Sequence, residues 1–145
     1  MIAFTVIGVS VPQGSKNPWG GEANPKTRPW RATVSAAAAD AMQGAPLLDG
    51  PIELTVEFVF PRPKGHYGTG RNAAVLKASA PQYVTRAPDV DKLARAIGDA
   101  LSGIVFRDDA QVADLYVRKV YGESAHAFIE VRALAVSRLV ETEAA

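Results

Sequence analysis

Four aspartates in the segment from Pro88 to Gln111, P-D-V-D-K-L-A-R-A-I-G-D-A-L-S-G-I-V-F-R-D-D-A-Q, have the type and spacing to do chemistry. Asp89 and Asp91 stand at one end, Asp108 and Asp109 at the other. If the two clusters meet, their carboxylates repel one another, so either some are protonated or a hard divalent cation sits among them. Oxygen-only ligands, with no cysteine in the chain and no histidine in the cluster, point to Mg²⁺ or Mn²⁺ rather than zinc. Such a site favours displacement at phosphorus, where a metal activates water and neutralises the leaving oxygen. The same residues also have a plainer use, with Asp89 capping a helix, Asp91 complementing its dipole and Asp108-Asp109 making a surface turn.

The segment between the clusters must position them. Pro88 disfavours helix in its predecessor, Asp89 suits an N-cap, and Leu93, Ala96, Ile97, Ala100 and Leu101 recur as one buried helical face. A helix is expected from Asp89 to Ser102-Gly103, with Gly103 as its stop and Ile104-Val105-Phe106 as a short extended return. Such a helix is about 20 Å long at 1.5 Å per residue, whereas three extended residues return only about 10 Å. Asp109 therefore reaches Asp89 and Asp91 only if the helix lies obliquely and the turn adds reach. Asp99, on the face of Asp91 and Arg95, is expected to pair with Arg95 rather than act as a ligand.

The motif P-D-V-D-K-L followed by D-A-L-S-G-I-V-F-R-D-D-A-Q-V resembles the signature of the RusA family of Holliday-junction resolvases: D-x-D-N-L, a helix carrying D-A-L, then D-D-x-Q leading into a strand. The likeness is close over about thirty residues, and the order of elements follows it loosely over most of the chain. It implies a Mg²⁺-dependent nuclease, Mn²⁺ being a substitute, with Asp89, Asp91 and Asp109 as catalytic metal ligands. It also implies a homodimer acting on four-way junctions in DNA recombination and repair, since a junction's two-fold symmetry asks for two symmetry-related sites. A family lysine one turn after D-x-D falls on Arg95, which can clamp a phosphate but is no proton donor. The family asparagine falls on Lys92, a second cation beside the site.

At 145 residues, 48% hydrophobic and 21% charged, the chain is expected to be one globular domain over 1–145. No run is long enough to span a membrane, and Met1-Ile2-Ala3-Phe4 lacks the basic flank of a secretory signal, so a cytoplasmic protein is expected. The net charge of +1 hides an asymmetry. Residues 1–86 carry nine Lys and Arg against five Asp and Glu, whereas residues 87–145 carry seven against ten. A basic half beside an acidic site suits a polyanion held by its phosphates.

From the start of the chain, Ile2 to Val9 is expected to be a strand, followed by an irregular loop over about 10–29 that carries Lys16, Lys26, Arg28, Trp19 and then Arg31 and Trp30. Cations interleaved with aromatics can track a nucleic-acid backbone and stack on bases. Equally, Trp30 can be a core anchor. A helix from Pro29 or Trp30 to Gln43 follows, built on an Ala-rich run whose small residues invite close packing or a dimer contact. Ile52 to Phe60 alternates as the central strand. Residues 61–87 form a long loop in which Arg62, Lys64, Arg71, Lys77 and Arg86 meet no acidic residue, a DNA-gripping arm expected to order on binding. In it, His66 and Tyr67 could stack on a base. Gln111 to Tyr121 and His126 to Val136 read as an antiparallel hairpin around Gly122-Glu123-Ser124-Ala125, with Ala113, Leu115 and Val117 facing inward and Arg118, Lys119 and Arg132 outward. The polar tail 137–145 is expected to fray.

The fold expected is α+β, a small, largely antiparallel or mixed sheet covered by two helices in the order β-α-β-α-β-β. The function expected is Mg²⁺-dependent resolution of branched DNA. Asp89, Asp91 and Asp109 hold the metal, Lys92 and Arg95 steady the phosphate, and Lys16, Arg28, Arg62, Lys64, Arg71, Lys77 and Arg86 hold the DNA. The alternative is a branched-DNA-binding module with weak or no activity. A D-x-D nucleotide-sugar transferase would need a nucleotide-binding α/β domain for which 145 residues leave little room.

Overall fold

A computed structural model describes residues 1–135, and the polar tail expected from Ser137 lies outside the described residues. The elements are β1 (Ile2–Ile7), α1 (Thr27–Met42), β2 (Ile52–Pro61), α2 (Val90–Leu101), β3 (Val112–Gly122) and β4 (His126–Ala133), with three single-turn 3-10 helices in the connections. The order is the β-α-β-α-β-β expected of an α+β domain.

Each helix is set by where its apolar residues fall. Helix α1 buries Trp30, Val34, Ala38 and Met42, one residue per turn, so Trp30 is a core anchor. It starts at Thr27, which places Pro29 in the first turn where a missing N–H costs nothing, and it stops at Gln43, whose φ of 48° is left-handed. Its small residues serve the interior: Ala38 is fully buried and Ser35 Oγ donates to the Ala100 carbonyl of α2 at 2.7 Å. Helix α2 buries Leu93, Ala96, Ile97, Ala100 and Leu101, the face expected from its periodicity. Both lie on the face of the sheet formed by Val6, Ile52, Leu54, Val56, Phe58, Ala127, Ile129 and Val131.

The strand order is β1-β4-β2-β3, with β4 antiparallel to β1 and to β2, and β2 parallel to β3. The hairpin expected between β3 and β4 is therefore absent: the chain leaves β3, crosses the end of β2 and inserts β4 between β2 and β1. Composition accounts for the difference. Ala127, Ile129 and Val131 are fully buried, as a central strand requires, whereas β3 carries Asp114, Arg118 and Lys119 and suits an edge. Leu115, expected to face inward, is half exposed at that edge. Gly122 permits the crossing, since a Cβ there would lie 2.5 Å from Val59 Cγ1.

Among the described residues no helix covers the opposite face of the sheet. It carries cross-strand ion pairs, Arg118 Nε donating to Glu57 at 2.7 Å and Arg132 lying 3.4 Å from Glu53. Loop 61–87 closes over its far end. It has two 3-10 turns, a Tyr67–Leu76 bridge and a Tyr83–Val120 bridge that extends the sheet beyond β3. Within the expected loop range the segment thus has local structure of its own.

Candidate functional site: an acidic cleft along helix α2

Exposed Asp91 and Arg95 lie with Gly98 along α2 at the i, i+4, i+7 spacing of one helical face, opposite the buried stripe. Asp109 joins them from outside the helix. The expected extended return does not form. Gly103, with φ of 81°, reverses the chain at once, and Ile104 and Val105 N–H groups bond back to the Leu101 carbonyl at 3.0 and 2.9 Å. Val105 and Phe106 are fully buried. The short reversal brings Asp109 beside Gly98, two turns or about 10.5 Å along the axis from Asp91.

A 3-10 turn, Asp109–Gln111, fixes that carboxylate with a capping box in which Asp108 Oδ1 accepts from Ala110 N–H at 2.8 Å. Gln111 Oε1 accepts from the N–H groups of Arg107 at 2.8 Å and Asp108 at 3.2 Å. Its Nε2 donates to the Leu48 and Gly50 carbonyls at 3.1 and 3.0 Å. An amide with all these bonds made has one orientation. Asp109 then packs on bare helix backbone, its Cβ 3.4 Å from where a Gly98 Cβ would stand.

Asp91, Arg95, Gly98 and Asp109 line one cavity of about 330 Å³, walled by Leu54, Ala94, Val112 and Leu115. Burial pushes the Asp109 carboxyl above its ordinary pKa, and neighbouring Asp108 and Asp99 push it further. Arg95 has no ion pair among the described residues. Asp99, expected to pair with Arg95, does not meet it and instead accepts from Gln13 Nε2.

Asp89 stands apart. It occupies the N-cap of α2 without a side-chain capping bond, lies 3.5 Å from Lys92 Nζ, and lines a neighbouring cavity of about 510 Å³ with Lys92 and Lys26. Lys119, expected to point outward, donates to the Arg86 and Pro88 carbonyls at 2.8 Å each and so fixes the approach to Asp89, where Ala87-Pro88 is cis. Among the described residues no three acidic, histidine or cysteine side chains are gathered closely enough to cage an ion. In donor chemistry the residues fit a hard divalent cation, since they are carboxylates only and the repulsion on Asp109 is of the kind a cation relieves.

The expected DNA-binding cations separate into two kinds. Lys16, Arg28, Lys64, Arg71, Lys77 and Arg86 are exposed. Arg62 is held: it donates to the Pro81 carbonyl at 2.6 Å, lies 3.3 Å from His66 Nδ1 and sits 5.5 Å over the Tyr121 ring. His66 meets the same ring edge-on at 4.8 Å, so it anchors the lobe rather than awaiting a base. Trp19 is 89% exposed. Read from the sequence, neither Gln13 nor the Gln111 side chain has a role, and Lys119 is placed only as pointing outward. Only Gln111 had a local signal, because Asp108-x-x-Gln111 follows the spacing of a capping box.

A carboxylate cleft with exposed cations near it, on a small α+β domain, is a donor set compatible with action on phosphodiester chains. The family model described as endodeoxyribonuclease RusA matches residues 12–132, and the chain belongs to that family, whose activity is nuclease action on Holliday junctions. The chain is also 29% identical over 138 residues to the uncharacterized protein YqaN of Bacillus subtilis (strain 168), covering 90% of this chain and 95% of that one. No helix among the described residues is long and apolar enough to cross a membrane.

Proposed function

We propose that this protein is a Mg²⁺-dependent resolvase of four-way DNA junctions, acting as a homodimer. The observation that supports it most is the meeting of Asp91, Arg95 and Asp109 in one cleft of a chain whose family acts on such junctions. A hard divalent cation held by Asp91 and Asp109, with Asp89 drawn in from the adjoining cavity, would supply the Lewis acidity that phosphodiester hydrolysis needs. Arg95 would present a planar fork to the scissile phosphate, and Lys92, beside Asp89, would add a second positive charge. Gln111 and Asp108 hold Asp109 in place before substrate arrives, which spares that ordering cost during the reaction. Lys64, Arg71, Lys77 and Arg86 on one lobe and Lys16 and Arg28 on the first loop bind the junction arms by their phosphates.

The test is incubation with a synthetic four-way junction and a matched linear duplex, in Mg²⁺ and separately in EDTA, with the Asp91→Asn variant alongside. Paired nicks in the junction alone, only with metal, and lost in Asp91→Asn with binding retained, are expected. Cleavage retained by the variant would overturn the site. Because the carboxylates are not gathered around one point, the second reading is a junction-binding module, which would bind in EDTA and cut in no metal.

A further inference from the structure

The first loop reaches the cleft through one buried amide. Gln13 is 7% exposed, and its backbone N–H donates to the Lys92 carbonyl in the first turn of α2 at 3.0 Å. Its side-chain Oε1 accepts from Arg31 Nη1 at 2.7 Å, and that same nitrogen is 2.6 Å from Glu22 Oε1. A guanidinium can only donate, so Oε1 must face Arg31 and Nε2 must face the other way, toward Asp99 Oδ2. The chain Glu22, Arg31, Gln13, Asp99 thus has one consistent direction.

Asp99 lies four residues after Arg95 on α2, the spacing at which an Arg and an Asp ordinarily pair on a helix surface. They do not pair here, and Arg95 carries no ion pair among the described residues. The carboxylate at that spacing accepts from Gln13 Nε2 and lies beside Asp109 instead. We infer that Gln13 is a positioning residue which holds Asp99 off Arg95, and thereby leaves the Arg95 guanidinium free for a DNA phosphate. The inference rests on the junction-binding reading above, and adds to it a role for the first loop beside the cleft.

The test measures junction binding in EDTA as a function of salt, where each phosphate contact contributes about 0.9 to the slope of log affinity against log salt. Gln13→Met keeps the buried volume and removes the bond, so Asp99 closes on Arg95. The slope should fall by about 0.9, and junction cleavage in Mg²⁺ should fall in parallel. Adding Asp99→Asn to Gln13→Met should restore the slope, because asparagine cannot neutralise Arg95. A merely structural role for Gln13 would not be rescued in this way. Gln13→Glu, whose carboxylate repels Asp99 while keeping Arg31, should show the same loss and the same rescue, and it serves if Gln13→Met does not fold. An unchanged slope in the folded single variants, or loss without rescue by Asp99→Asn, overturns the inference and leaves the resolvase reading standing. Failure of the unmutated protein to bind a junction overturns both.

Discussion

Gly98 offers a test of the cleft that separates stability from function. Its backbone is helical and buried, so glycine there costs about 1 kcal/mol relative to alanine. A Cβ at this position would meet Asp109 Cβ at 3.4 Å and Oδ2 at 3.6 Å, ordinary contact distances, so Gly98→Ala fits. The variant should gain about 0.5–1 kcal/mol, which for a domain of this size raises Tm by about 2–3 °C. Gly98→Leu carries a branched side chain into the cavity that Gly98 shares with Asp109, and so crowds that carboxylate. Overpacking costs about 1–3 kcal/mol, and displacing a catalytic group by about 1 Å costs on the order of 100-fold in rate. Melting in EDTA and single-turnover cleavage of a four-way junction in Mg²⁺ read the two effects separately. Wild-type cleavage by a folded Gly98→Leu protein would refute the proposed catalytic role of Asp109, and a lower Tm for Gly98→Ala would refute the fit of a Cβ at Gly98.

Other positions give independent checks. Gly122→Ala puts a Cβ 2.5 Å from the stiff, buried Val59 side chain and should cost about 1–3 kcal/mol in a denaturant titration; no loss would mean that the chain does not cross β2 so closely. Lys119→Met removes two bonds to the carbonyls before Asp89 and should lower stability by about 1–3 kcal/mol and reduce cleavage more than junction binding; equal loss of both would deny it a role in placing Asp89. Burial first, then Arg62, Arg86 and Lys77, hold the His66 pKa below its ordinary 6.5. The neutral ring is therefore favoured by folding: its stabilisation is complete above pH 6.5 and is lost as pH falls through the lower folded value. An NMR titration should place the midpoint below 6.5, and Arg62→Ala should move it upward; a midpoint at or above 6.5 in the unmutated protein would remove His66 from the cation-lined anchor.

What could be read from the sequence was what local periodicity records. The buried stripe of α2 and the alternation of β2 appear in the structure nearly residue for residue, because each is fixed by a face that must leave water. The aspartates were found by type and motif. Their arrangement depends on Gly103 turning the chain at once and on Gly98 offering bare backbone, neither of which has a signature beyond glycine itself. Gly122 misled for the same reason. Ahead of Glu123-Ser124-Ala125 it looks like part of a hairpin loop, whereas its use is close approach to Val59, which lies 63 residues earlier in the sequence. Asp99 shows a local rule overridden by a distant group, Arg95 four residues before it losing to Gln13, which lies 86 positions away.

The strand order also bears on when the molecule can assemble. Among the described strands β1 is synthesised first, and its one neighbour in the sheet, β4, is synthesised last. Residues 2–7 therefore wait for residues 126–131 before any of their ladder bonds can form. Until then β2 keeps one edge unpaired, and a nascent chain released before Ala133 would present that edge to other chains.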